Sequence, residues 1–274
     1  MSREIIGLGP WLDTPPGRYL LAWERAQYDE AVADVFGYHA LQLGLAELST
    51  LAANRMPHRW LALAQPQPRF STASQAQLIT DFEALPFSEG SLDLVTLPHT
   101  LELSADPHGA LREVERVLVP EGRVVLSGFN PVSLWGLRQR RARIYARMGV
   151  GDSYLPAACE AIHYWRMRDW LRLLGFEVES SRFGLYRPGV RSEAWLERFR
   201  WLDGLGERSW PIFGAAYFIV AVKRVRGMHL LTADWKRSRA RAGAPVAVTS
   251  KVHRRGARAA PAPHSLTKKK EQRF

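Results

Sequence analysis

Residues 81–131, DFEALPFSEGSLDLVTLPHTLELSADPHGALREVERVLVPEGRVVLSGFNP, limit the possible folds more than any other stretch of this chain. Ser91 to Leu97 (SLDLVTL) and Arg123 to Gly128 (RVVLSG) are short, nearly continuous apolar runs. Between them Leu111, Val114, Val117 and Leu118 recur at helical spacing. Strand, helix and strand in that order predict a βαβ unit with parallel strands covered on both faces, entered a second time through the turn Pro120-Glu121-Gly122. Ligands of such sheets bind outside the carboxyl ends of the strands. Here those ends are Pro98-His99-Thr100 and Phe129-Asn130-Pro131.

The same stretch carries an ordered set of motifs: Asp81, Leu85-Pro86-Phe87, Ser91-Leu92-Asp93, Asp106-Pro107, Arg112-Glu113, Arg116-Val117-Leu118 and Pro120-Glu121-Gly122. In this order and without gaps, they resemble the class I S-adenosylmethionine-dependent methyltransferases of the type 11 group. The resemblance covers about fifty residues directly and extends more weakly from residue 38 to residue 225. It implies an α/β fold: a doubly wound, seven-stranded, mostly parallel sheet whose last strand is antiparallel, with an N-terminal helix added.

The rest of the chain is consistent with that frame. Pro15-Pro16 opens a helical pattern over Gly17–Phe36, and strands are expected at Tyr38–Leu43, Trp60–Ala64 and Gln77–Thr80. Tyr164–Leu174 reads as a helix closed by Gly175 and followed by a strand from Phe176. Ile212–Val225 reads as the last strand, with Gly214 suggesting a bulge. Residues 187–210 carry Trp195, Phe199, Trp201 and Trp210 among arginines, which suits either a lid over an apolar acceptor or a helix whose aromatics pack on the sheet edge.

Charge is unevenly placed. Residues 223–274 hold 15 of the 38 Lys and Arg and 2 of the 27 acidic residues, a net +13, which leaves residues 1–222 at −2. From residue 233 apolar periodicity is lost, and the composition predicts a disordered basic tail. The expected organisation is an N-terminal helical extension over 1–36, a methyltransferase-like domain over 37–232 and the tail over 233–274. Such a tail suits nucleic acid or an anionic lipid surface electrostatically, or serves only as a solvated segment. One cysteine, no leader-like N-terminus and no long apolar run predict a cytoplasmic protein without a membrane span. No zinc or P-loop pattern is present, so no metal is expected.

For the cofactor, S-adenosylmethionine, the resemblance assigns Gln42, Gly44, Ala46, Gln65, Asp81 and Phe82. The family ends its first strand in an acid followed by alternating glycines, because a Cβ would intrude on the ligand. Here Gln42, Gly44, Ala46 and Leu48 stand in those places. Gly44 is expected to precede a helix as part of this loop, or alone to be a turn glycine. Gln65 replaces the acid that accepts from the ribose hydroxyls; Gln42 and Gln65 can still hydrogen-bond there as neutral groups. Asp81 would face the adenine amino group, or serve as a helix N-cap, and the Phe82 ring would pack on the adenine.

Methyl transfer needs an acceptor held in line with the methyl, and a base only if the acceptor must lose a proton. His99 is the candidate base and acceptor contact, with Glu102 one helical turn on and Asn130 beyond the fifth strand. His99 packed on the following helix, and Asn130 merely shaping its turn, are the structural alternatives. The expected activity is methylation of a small-molecule acceptor. Leu97-Pro98-His99-Thr100 lacks the signature of nucleic-acid amino methyltransferases. A non-catalytic binding protein on the same fold, with its tail on nucleic acid, is the other reading.

Overall fold

The computed structural model describes residues 8–66, 76–147, 154–155 and 160–224. The chain enters through two helices, α1 (Gly9–Leu12) and α2 (Pro15–Ala33). Thr14 caps α2, its hydroxyl accepting from the Gly17 amide at 3.4 Å, and Pro15 and Pro16 occupy first-turn positions where no amide donor is needed. The helix predicted from Gly17 to Phe36 is α2, which starts two residues earlier and ends at Ala33; α1, before it, was not predicted. One stripe of α2 is buried: Leu20, Glu24, Tyr28 and Val32, spaced four residues apart.

Strands follow at β1 (His39–Leu43), β2 (His58–Leu63), β3 (Ala76–Ile79) and β4 (Leu92–Pro98). A short helix α3 (Thr100–Leu103) and the helix α4 (Pro107–Val117) lead to β5 (Leu118–Phe129). Asp106 caps α4, accepting from the His108 and Gly109 amides at 3.0 Å each, and Ala110, Leu111, Val114 and Val117 form its buried stripe. The C-terminal half holds α5 (Leu134–Arg147), α6 (Tyr164–Leu173), β6 (Phe176–Gly184), α7 (Glu193–Arg198), α8 (Trp201–Ser209) and β7 (Ala216–Lys223). The sequence reading had no counterpart to α5. The last strand is shorter than expected, because Pro211–Phe213 forms a 3-10 turn. The register shift sits on β6 between Val178 and Ser180 rather than at Gly214.

The seven strands form one sheet in the order β3-β2-β1-β4-β5-β7-β6. Strands β1 to β5 are mutually parallel, and β7 runs antiparallel between β5 and β6. Period-two alternation splits the sheet's apolar residues between two cores. Ala40, Leu94, Val125, Phe218 and Val220 face the α1–α2 side; Leu41, Val95, Leu126, Ile219 and Ala221 face the α4–α6 side. Strand order reverses between β1 and β4, so the crevice beyond Leu43 and Pro98 is the place where this topology puts a ligand.

Candidate functional site

The carboxyl end of β4 holds a buried ionic cluster. His99 follows the strand in a left-handed conformation (φ +51°) and is fully buried. Its Nδ1 lies 2.8 Å from Oε2 of Glu102 on α3, and its Nε2 lies 2.9 Å from Oε1 of Glu24 on α2. The first contact is a hydrogen bond; the second is close but not aligned as one. Glu102 also accepts from the Phe129 amide, tying α3 to the end of β5. The Phe129 ring packs against the imidazole with centroids 4.3 Å apart. Nearby the Tyr28 hydroxyl donates to Ser127 Oγ at 3.2 Å, so α2 is pinned to the sheet at two successive turns.

This placement corrects the expectation for His99 and Glu102. Burial alone would lower the imidazole's pKa, but the Glu24 and Glu102 carboxylates outweigh it and push it up to about 10. An imidazolium with both ring nitrogens facing carboxylates has no lone pair for a proton. His99 is therefore neither at an open rim nor, as placed, a base, and Glu102 faces His99 and the β5 backbone rather than an acceptor. Asn130 is buried too. Its Nδ2 donates to the Ile212 and Gly214 carbonyls at 2.6 and 2.9 Å, and its Oδ1 accepts from the Val132 amide, so it fixes the turn into α5. Glu24 escaped the sequence reading. The available signal was its place four residues from both Leu20 and Tyr28, on a stripe whose other members are apolar.

The segment after β1 differs most from expectation. Residues 44–57 form turns, and no helix follows Gly44 before β2 begins at His58. Gly44 has φ +74°, and a Cβ there would lie 3.3 Å from Thr100 Oγ1 and 3.8 Å from Phe82 Cζ. Gln42 Nε2 donates to the Gly44, Leu45 and Leu48 carbonyls at 3.2, 2.8 and 2.7 Å. Its Oε1 accepts from the Thr50 amide and hydroxyl at 3.0 and 2.9 Å. The carboxamide thus replaces the missing helix's hydrogen bonds and is fully used. Leu45, Leu48 and Leu51 then turn into the core shared with α1 and α2.

S-adenosylmethionine can be tested against this arrangement end by end. At the adenine end Asp81 is exposed beyond β3, its Oδ1 accepting only a 3.3 Å bond from the Glu83 amide. The buried Phe82 ring reaches Gly44, its Cζ 3.8 Å from where a Gly44 Cβ would sit. Gln65 is exposed beyond β2, and Ala46 is half-buried in the turn. The methionine end does not fit: Gln42 offers no free donor or acceptor, and the loop after it is drawn inward, with Leu45 and Leu48 buried in the core. As loop 44–51 stands, the residues present do not hold the whole cofactor, and no transfer step follows from this geometry.

Known proteins share this framework. The sequence profile of a methyltransferase domain family matches residues 44–126, which run from Gly44 through the βαβ unit. The uncharacterized protein YafS of Escherichia coli is 36% identical over 186 residues, covering 67% of this chain and 71% of the relative. Malonyl-[acyl-carrier protein] O-methyltransferase of Halorhodospira halophila is 37% identical over 86 residues, 28% of this chain and 29% of that protein. Among solved structures, a chain of a complex containing the Haloferax volcanii Trm112 methyltransferase activator superposes with a TM-score of 0.54 at 17% identity, covering 84% of this chain and all of that one. A methyltransferase from Mesorhizobium loti does so with a TM-score of 0.51 at 15% identity, covering 74% and 99%. At these identities the structural matches establish the fold.

Proposed function

Because this chain belongs to the class I S-adenosylmethionine-dependent methyltransferases, we propose that it methylates a small-molecule acceptor, with loop 44–51 opening to admit the cofactor. S-adenosylmethionine is the cofactor of the family and supplies the methyl group. The observation that carries the reading is Asp81, an exposed carboxylate at the end of β3, beside Phe82 and the positive-φ Gly44 at the switch point. In this reading Asp81 accepts from the adenine amino group, and the chain's own task is to position the acceptor and exclude water. His99 would act as a base only after separation from Glu24 and Glu102.

Gln42 favours a second reading, a non-catalytic binding protein on the same fold. Its five hydrogen bonds lock shut the loop that would have to open. Calorimetry with S-adenosylmethionine separates the two. Binding by the wild type, weakened by about 1–3 kcal/mol in Asp81→Ala, supports the enzyme. No heat and no thermal shift at high ligand concentration would leave the binding protein. Mass spectrometry of ligand released from the denatured protein provides an independent readout.

A further inference from the structure

We propose that the groove between α5 and residues 187–191 seats the phosphate headgroups of an anionic phospholipid bilayer, with the exposed aromatics of residues 195–213 entering the lipid interface beside it. This inference is independent of methyl transfer. Helix α5, LWGLRQRRARIYAR, carries five arginines and no acid. A helix lying on a globular domain ordinarily turns its apolar side inward. This one buries Trp135 and Gln139 and leaves Leu134, Leu137, Ile144 and Tyr145 exposed. Leu134, Leu137, Arg138, Arg141 and Tyr145 fall at i, i+3, i+4, i+7 and i+11, one stripe mixing hydrocarbon with guanidinium. With Arg191 opposite, they line a groove of about 910 Å³.

The groove is built rather than incidental. Arg138 donates to the Gly189 carbonyl and lies over the Tyr154 ring, 4.6 Å from its centroid. Trp135 Nε1 donates to the Arg187 carbonyl at 2.8 Å, fixing the helix against the opposite wall. On the neighbouring segment Trp195, Trp201, Leu205, Trp210, Ile212 and Phe213 are all exposed. Residues 132–145 and 195–213 together hold 11 of the 16 exposed large apolar side chains among the described residues. Both segments connect at the same end of the strands, where β5 and β6 finish and the antiparallel β7 begins. The hydrogen bond from Asn130 to the Ile212 carbonyl joins them there.

The mixture of side chains selects the occupant. Guanidinium groups pair with phosphate oxygens, exposed Trp suits the headgroup level, and arginine stems reach from apolar surface to charge. A nucleic-acid backbone would satisfy the arginines but leave Leu134, Leu137 and Ile144 against water. The +13 of residues 223–274 attracts the same anionic surface.

The test is sedimentation of the full-length protein with phosphatidylcholine vesicles, with and without phosphatidylglycerol. The wild type should partition onto the anionic vesicles, with a blue shift in tryptophan emission. Arg141→Glu changes two charge units at an exposed site and should lower partitioning roughly thirtyfold, at about fivefold per charge near an anionic surface. Leu137→Asp should lower it about tenfold or more, including at high salt, where attraction through the tail is screened. Unaltered melting of both variants would confirm that the loss is at the surface. Wild-type partitioning by both variants would overturn the proposal and leave the charge of 223–274 as the attachment. Failure of the wild type to bind anionic vesicles would also overturn it, as would variants that lose RNA binding while keeping vesicle binding.

Discussion

Replacing His99 with Asn tests whether the cation between Glu24 and Glu102 holds α2 and α3 to the sheet. Asn is the informative choice because it tolerates the left-handed backbone at φ +51°, so the loss reports the missing charge and volume rather than a backbone penalty. With the imidazolium gone, two fully buried carboxylates face each other across the space it filled. Breaking a buried ion pair from one side costs about 3–5 kcal/mol. For a domain of this size that is a fall in Tm of roughly 6–20 °C. Glu24→Gln should cost much less, about 1 kcal/mol, since it removes one of two carboxylates and leaves a balanced His99–Glu102 pair. The sign with pH follows from the same contacts. An imidazole whose pKa rises on folding to about 10 contributes stability that is fully present below about pH 6.5 and is lost as pH rises through 10. Urea unfolding at a series of pH values, wild type against His99→Asn, measures both effects. The reasoning is refuted if His99→Asn unfolds within 1 kcal/mol of wild type, or if the wild-type imidazole titrates near 6.5 by NMR.

Gln42→Leu should destabilise by about 2–5 kcal/mol in urea unfolding, because the Gly44, Leu45 and Leu48 carbonyls lose their donor in a buried loop. Gln42→Asp, which restores the acid the family carries there, should also destabilise, since it provides no donor for those carbonyls. Gly44→Ala should cost about 1–2 kcal/mol from the left-handed backbone alone, with Thr100 forced to shift, as read by its melting temperature. Truncation after residue 232 should leave Tm nearly unchanged, because the residues removed supply no periodic apolar face; calorimetry of the two lengths checks it.

The sequence by itself determined the sheet's parallel half and the helices α4 and α6 beside its strands. Apolar runs at β4 and β5, the Asp106-Pro107 helix start and the Gly175 stop, now seen at φ +83°, are local signals whose physics acts over a few residues. Tertiary structure decided the candidate site, because His99 and Asn130 take their roles from partners far away in the chain and Gln42 takes its role from how the loop beside it folds. Glu24 and His99 meet across 75 positions, and nothing near either marks one as a buried acid and the other as its counter-ion. Gln42 was legible as a replacement for an acid. That its carboxamide would close residues 44–50 in place of a helix depended on the three carbonyls folding back onto it. The outward face of α5 was equally hidden: its arginines are plain in the sequence, but which side of a helix meets solvent is settled only by the wall it packs against.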